Sequence, residues 1–263
     1  MLRTVSVLME VHVTRPALLA LQITPATPTA SEHLTLTTDG RPVPVRELAA
    51  PTGGRIHVID APLGDLAISY KAEIDGWLPI APSDETERLL YLRPSRYCPV
   101  DRFTGLAGTE FGGLTNPGDL ADAVTAWVAR RLSYVSGSSG PSDDAVDTLL
   151  QSEGVCRDYA HLVIALLRTR DVPARLAAVY APGLDPMDFH AVAEAWVDGA
   201  WRVLDATGLA PRASMLRIAT GRDAADTAFM SVHHGNAELR SVSVLTLVDD
   251  LPNEDPRQTI VLS

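Results

Sequence analysis

Cysteine is scarce in this chain: Cys98 and Cys156 are the only two in 263 residues. Two thiols cannot build a disulfide framework, and such sparing use is expected of a reducing compartment. Lysine is scarcer, with Lys71 alone among 22 basic residues. No Gly-Lys-Ser/Thr follows a glycine-rich loop, which removes Walker-type phosphate chemistry. Positive charge is in the minority, and the formal net charge of -11 argues against a nucleic-acid or anionic-membrane partner. No apolar run is long enough to span a bilayer. The N-terminal stretch MLRTVSVLMEVHVTRPALLALQITP is broken by Glu10, His12 and Arg15 and has no small-residue cleavage site, so a signal peptide is not expected and a cytoplasmic location is.

The remaining composition is ordinary, with 46% hydrophobic and 21% charged residues, enough for a normal core in one large domain or two smaller ones. From Thr4 to about Ser95 the chain runs in short alternating segments, TVSVLMEVHV, ALLALQIT, HLTLTTDG, RIHVID and LAISYKAEI, separated by turn signals such as TPATPT and APTGG. This predicts an antiparallel β-sandwich-like domain over residues 1–95. Beyond it the period becomes helical. NPGDLADAVTAWVARRLSYV places Leu120, Val124, Trp127, Val128 and Leu132 on one face with Asp119 in the first turn. The loop SGSSGPS is expected to be mobile, and Ser142 to cap the short helix after it.

In CRDYAHLVIALLRTR, residues Cys156, Ala160, Val163, Ile164 and Leu167 share a helical stripe. A thiol at a helix start feels unpaired N–H groups and the positive end of the dipole, where cysteines titrate at ~3.5–7.5 rather than ~8.5. A buried core thiol is the alternative for Cys156 and the expectation for Cys98. A cysteine nucleophile needs a histidine, itself oriented by a carboxylate. His161 lies about 140° around the helix from Cys156 and is expected on its surface or behind the site.

The better histidine comes from DFHAVAEAWVDGAWRVLDATG, residues 188–208. Its alternation predicts two strands joined at Asp198-Gly199, a type I′ hairpin signal. Pairing Val197 with Ala200 and Trp196 with Trp201 makes His190 and Asp205 diagonal neighbours on one face, and a slip of one residue would separate them. Cys156, His190 and Asp205 then form a candidate catalytic triad. Glu194 shares that face, as an ion-pair partner, a residue behind the triad, or a member of a metal set with His190 and Asp205 that would leave Cys156 unexplained. The backbone N–H of Cys156 is one candidate oxyanion donor. Tyr134 is a candidate for the second, against a plain packed aromatic.

At these residues the chain resembles the transglutaminase-like superfamily of papain-like fold. GVCRDYAHLVIALLRTRDVPARL is similar to its nucleophile helix, and DFHAVAEAWVDGAWRVLDAT to its histidine and aspartate strands. LRPSRYCPVD and IATGRDAADTAF resemble a bacterial branch with a short N-terminal β domain. Val192 stands where the family often has tryptophan, a departure expected to reshape the acyl pocket. The resemblance implies an α+β protein, with a papain-like, transglutaminase-core catalytic domain over 96–263 behind the β domain. It also implies a cysteine protease or amidase working through a thioester on a peptide or protein amide, without cofactor or metal. Amide exchange onto an amine and a non-catalytic peptide-binding module are the alternatives. Members of this branch are often encoded beside ATP-grasp peptide ligases, so a peptide-ligase system is the partner it suggests.

Overall fold

The computed structural model describes residues 1–76, 84–255 and 258–262. The N-terminal region forms β1 (Leu2–Arg15), β2 (Ala17–Leu21), β3 (Ser31–Thr38), β4 (Arg41–Pro42), β5 (Arg46–Ala49), β6 (Arg55–Ala61) and β7 (Gly64–Asp75). Period-2 alternation drives them: Val5, Val7, Met9, Val11 and Val13 of β1 point into the core, as do Leu66, Ile68, Tyr70, Ala72 and Ile74 of β7.

Helices follow: α1 (Glu85–Leu90), α2 (Thr104–Phe111) and α3 (Pro117–Arg131). Asn116 caps α3 by accepting from the N–H groups of Gly118 and Asp119. The short strand β8 (Ser133–Tyr134) precedes α4 (Ala145–Gln151), and β9 (Glu153–Gly154) leads into α5 (Cys156–Thr169). Asp144, not Ser142, caps α4, accepting from Val146 and Asp147 N–H. A second, four-stranded sheet comprises β10 (Ala174–Tyr180), β11 (Phe189–Val197), β12 (Ala200–Leu204) and β13 (Leu216–Gly221), in the order β12-β11-β10-β13. The one-turn helix α6 (Ala224–Thr227) precedes β14 (Met230–His233) and β15 (Asn236–Val248).

The α+β class is as expected, but the C-terminal part of the 96–263 domain does not stay with the helices. β15 pairs with β1 along nearly its whole length, and β14 pairs with β2. The sandwich therefore consists of the sheets β15-β1-β7-β3-β4 and β14-β2-β6-β5. Without β15 one edge of the 14-residue strand β1 would be unpaired, and the returning chain supplies that partner. The sandwich core, which includes Leu19, Leu21 and Ile59, also takes in Tyr180, Leu216 and Ile218 from the β12-β11-β10-β13 sheet.

Helix α5 is enclosed, with α3 and α4 on one side and β10 and β11 on the other. Every residue from Asp158 to Arg168 is buried, so the predicted stripe extends around the whole helix. A helix buried all round is a fixed platform for whatever its first turn carries.

Candidate active site

Cys156 is the first residue of α5 and is half-buried. Its position is set on both sides of the helix start. Behind it, Gly154 pairs with Tyr134 across the parallel β8–β9 contact. A Cβ on Gly154 would lie 2.8 Å from the Cβ of Asp158, so only glycine allows this approach. In the first turn, Asp158 is fully buried and its Oδ2 accepts from Val155 N–H at 2.9 Å and Ser139 Oγ at 2.5 Å. Arg157 donates to Asp158 Oδ1, Ser139 Oγ and the Gly140 carbonyl. The serine-rich loop expected to move is thereby tied to the first turn of α5.

The hairpin forms in the predicted register. Val197 pairs with Ala200, Trp196 with Trp201, and the ladder runs to Ala193 and Leu204. Asp198 and Gly199 take φ of 51° and 81°, as a type I′ turn requires. Asp205 follows directly after β12, and its Oδ2 lies 3.2 Å from His190 Nε2. Its Oδ1 accepts from Thr207 N–H at 2.9 Å and Thr207 Oγ1 at 2.7 Å, fixing the carboxylate plane. Thr207 was not singled out from the sequence, although an Asp-x-Thr pair after a strand is a local hydrogen-bonding signal.

Cys156 lies near enough to the His190 ring to favour its charged form. With Nε2 committed to Asp205, Nδ1 is buried and makes no hydrogen bond among the described residues, which leaves it the nitrogen available to the thiol. Burial opposes charge on His190, but the hydrogen bonds of Asp205 and Cys156 outweigh it and push the imidazole up to about 10. Burial likewise opposes charge on Asp205, yet His190 and Thr207 hold it below the usual carboxylate range. Both shifts favour the charged forms of the His190–Asp205 pair.

Tyr134 is 45% exposed, and its ring packs at 6.1 Å against Tyr159. Burial and the Cys156 side chain raise this phenol to about 12, so it stays protonated and can donate. The Cys156 backbone lies near enough to the phenol to oppose that shift in part.

Glu194 is elsewhere. Its oxygens accept from Arg175 Nε at 2.8 Å and from Arg217 Nη1 and Nη2 at 3.0 and 2.7 Å, all in the buried sheet. This is the ion-pair reading; with both oxygens committed, Glu194 is removed from a metal set with His190 and Asp205. Burial raises its pKa, but the two guanidinium groups hold it below the ordinary value. Val192 is buried with Ala177, Val179 and Val203, so the residue standing for tryptophan fills core instead of lining an acyl pocket.

Of the two places expected for His161, the helix surface is excluded, because the residue is fully buried. Its ring stacks on Tyr97 at 5.1 Å, and its Nε2 accepts from Ala224 N–H at 3.1 Å. The angular offset from Cys156 was sound, but that side of α5 is covered too. Cys98 is buried as expected, and burial pushes its thiol up to about 12.

A family model described as the transglutaminase-like superfamily matches residues 106–206, which include Tyr134, Cys156, His190 and Asp205. A solved structure from Cytophaga hutchinsonii, described as a "Putative Cysteine Protease", is 32% identical, covers 98% of this chain and 96% of its own, and superposes with a TM-score of 0.87. An uncharacterized protein of Mycobacterium leprae is 28% identical over 145 residues, 52% of each chain. One from Mycobacterium tuberculosis is 30% identical over 158 residues, covering 46% of this chain and 50% of its own. The chain thus spans about half the length of the curated relatives it matches. Likeness along almost the whole chain to one solved relative, joined to the family match over the site, shows that the chain belongs to the transglutaminase-like superfamily.

Proposed function

We propose that the protein is a cysteine-dependent hydrolase of amide or peptide bonds. The observation that carries this reading is the buried Asp205–His190 pair next to a thiol at the start of an enclosed helix. Cys156 Sγ, its proton passed to His190 Nδ1, attacks the carbonyl carbon, and the C=O π electrons move to oxygen. The oxyanion has the Cys156 N–H as one donor, and the Tyr134 hydroxyl, turning outward, as the second. On collapse the C–N bond breaks, and the nitrogen leaves with the proton from His190 Nδ1. A thioester remains. Water then attacks it, giving its proton to His190, and the carboxylate departs as the thiol is re-formed. Asp205 holds the ring in one orientation throughout and supports its charge.

An amine could take the place of water, which would make the protein an acyltransferase. Incubating the native protein with glutamine-containing peptides, with and without an added primary amine, separates the outcomes. Shortened or deamidated peptide together with an acyl adduct on Cys156 supports hydrolysis. Amine-coupled product supports transfer. Peptide bound without any product, unchanged in Cys156→Ala, would replace both with a binding module. The two free thiols suit a cytoplasmic setting, and a peptide-ligase product is a reasonable first substrate class to screen.

A further inference from the structure

Strand β12 lies at the edge of its sheet, and Asp205 is the first residue beyond it. Towards α3 this segment borders a cavity of about 480 Å³, lined by Asp122, Thr125, Leu204, Asp205 and Gly208 among others. Arg212 and Glu254 line the same cavity, and Asp205 itself is buried. The strand's outer edge is held by two hydrogen bonds. Val203 N–H donates to the Ile260 carbonyl at 2.8 Å, and the Val203 carbonyl accepts from Arg212 Nη1 at 3.1 Å.

Arg212 is buried and fully engaged. Its Nη2 donates to the carbonyls of Asp255 at 2.8 Å and Gln258 at 3.3 Å, and its Nε to Glu254 Oε1 at 2.7 Å. Its own N–H donates to Glu254 Oε2 at 2.8 Å. One guanidinium thus joins the carbonyl two residues before Asp205 to the chain segment that covers the sheet edge. Leu262, buried beside Val203 and Val192, closes that segment onto the core.

We propose that Arg212 is a positioning residue for Asp205: by clamping Val203 to Glu254, Asp255 and Gln258 it sets where the carboxylate meets His190. The role presupposes the Cys156–His190–Asp205 reading above. Arg212 touches no reacting atom. Its planar fork serves several acceptors at once, which the single ammonium of lysine cannot reproduce.

The test is an NMR titration of the His190 ring in the full chain, with histidine labelled at Cε1 and the resonance assigned by its loss in His190→Gln. Wild type, Asp205→Asn, Arg212→Ala and Arg212→Lys are compared, and Cys156 alkylation at neutral pH is followed in parallel. Displacing the carboxylate lowers the His190 midpoint, by about one pH unit or more in Arg212→Ala and less in Arg212→Lys. Alkylation falls severalfold alongside. Mere loss of a nearby cation would raise the midpoint instead, so the sign separates displacement from charge. If Arg212→Ala does not fold, Arg212→Lys decides. The proposal is overturned if the folded Arg212 variants titrate as wild type, with only a lowered melting temperature, while Asp205→Asn shifts. If Asp205→Asn itself leaves His190 unmoved, the triad reading fails and takes this role with it.

Discussion

Tyr134 lies opposite Gly154 in the two-residue parallel pairing of β8 and β9, and that register brings its phenol beside Cys156, two residues further along. The Cys156 N–H and the Tyr134 hydroxyl are the two donors proposed above for an oxyanion. Replacing Tyr134 by Phe keeps the ring on Tyr159 and removes one donor. The expected result is a fall in kcat of roughly 10²-fold with KM little changed, the usual consequence of losing one such donor. Equal losses in binding and turnover would mean that the hydroxyl contacts the ground state instead.

The two thiols differ enough to be told apart with one reagent. Cys98 is buried and held protonated, with its thiol raised to about 12, whereas Cys156 is half-buried beside an imidazolium. Iodoacetamide at pH 7 is expected to modify Cys156 rapidly in the native protein and to leave Cys98 unmodified until unfolding. Peptide mapping reads the result. Comparable labelling of both would mean that neither thiol is activated.

His190 carries a sign that thermal unfolding can read. Its folded pKa is raised, to about 10, above an unfolded value of ~6.5. The folded state therefore holds its proton more tightly, and the associated stability is complete below ~6.5 and lost as pH rises towards 10. The difference in melting temperature between wild type and His190→Gln should shrink across pH 7 to 10. A difference that grows or stays constant would mean that the ring is neutral when folded.

The hairpin was legible in the sequence because three local signals agree there: period-2 alternation, Asp198-Gly199, and aromatic residues at Trp196 and Trp201 that pair across the strands. Those signals fix the register, and the register brings His190 to Asp205. The return of β15 to β1 was not legible. SVSVLTLV alternates like a strand, but alternation does not say which distant strand it joins. The choice between the two places for His161 was not legible for a related reason: helical spacing gives a direction from the axis, while what stands in that direction is decided by Tyr97 and Ala224, 64 residues before and 63 after it. Clamps such as Arg212 with Glu254 are equally non-local.

Glu194 offers a test of structural against catalytic roles. Arg175 and Arg217 are both buried, and Arg175 also lies 4.1 Å over the ring of Trp201. Glu194→Ala leaves the buried Arg217 without its carboxylate and Arg175 with Glu87 alone, which should cost about 3–5 kcal/mol in denaturant unfolding. Alkylation of Cys156, measured per folded molecule, should be unchanged. A stable variant with slow alkylation would return Glu194 to the site.

His161 makes the opposite prediction to His190. Burial drives its pKa down to about 4, with Asp223 and Asp158 opposing only in part, so the folded protein keeps the ring neutral while the unfolded chain titrates near ~6.5. Below ~6.5 the unfolded state binds a proton that the folded state refuses, and stability falls with pH until about 4, where the folded ring also accepts it. Neutrality has a structural reason, since Nε2 must accept the Ala224 N–H at 3.1 Å and an imidazolium cannot. The full loss approaches about 3 kcal/mol across that window, at 1.36 kcal/mol per pH unit. His161→Gln preserves an acceptor for Ala224 but does not titrate. Its stability at neutral pH should be lower because the stack on Tyr97 is lost, and its acid limb between pH 6.5 and 4 should be flatter than that of wild type. An acid limb as steep as wild type in this variant would assign the acid sensitivity to the carboxylates instead.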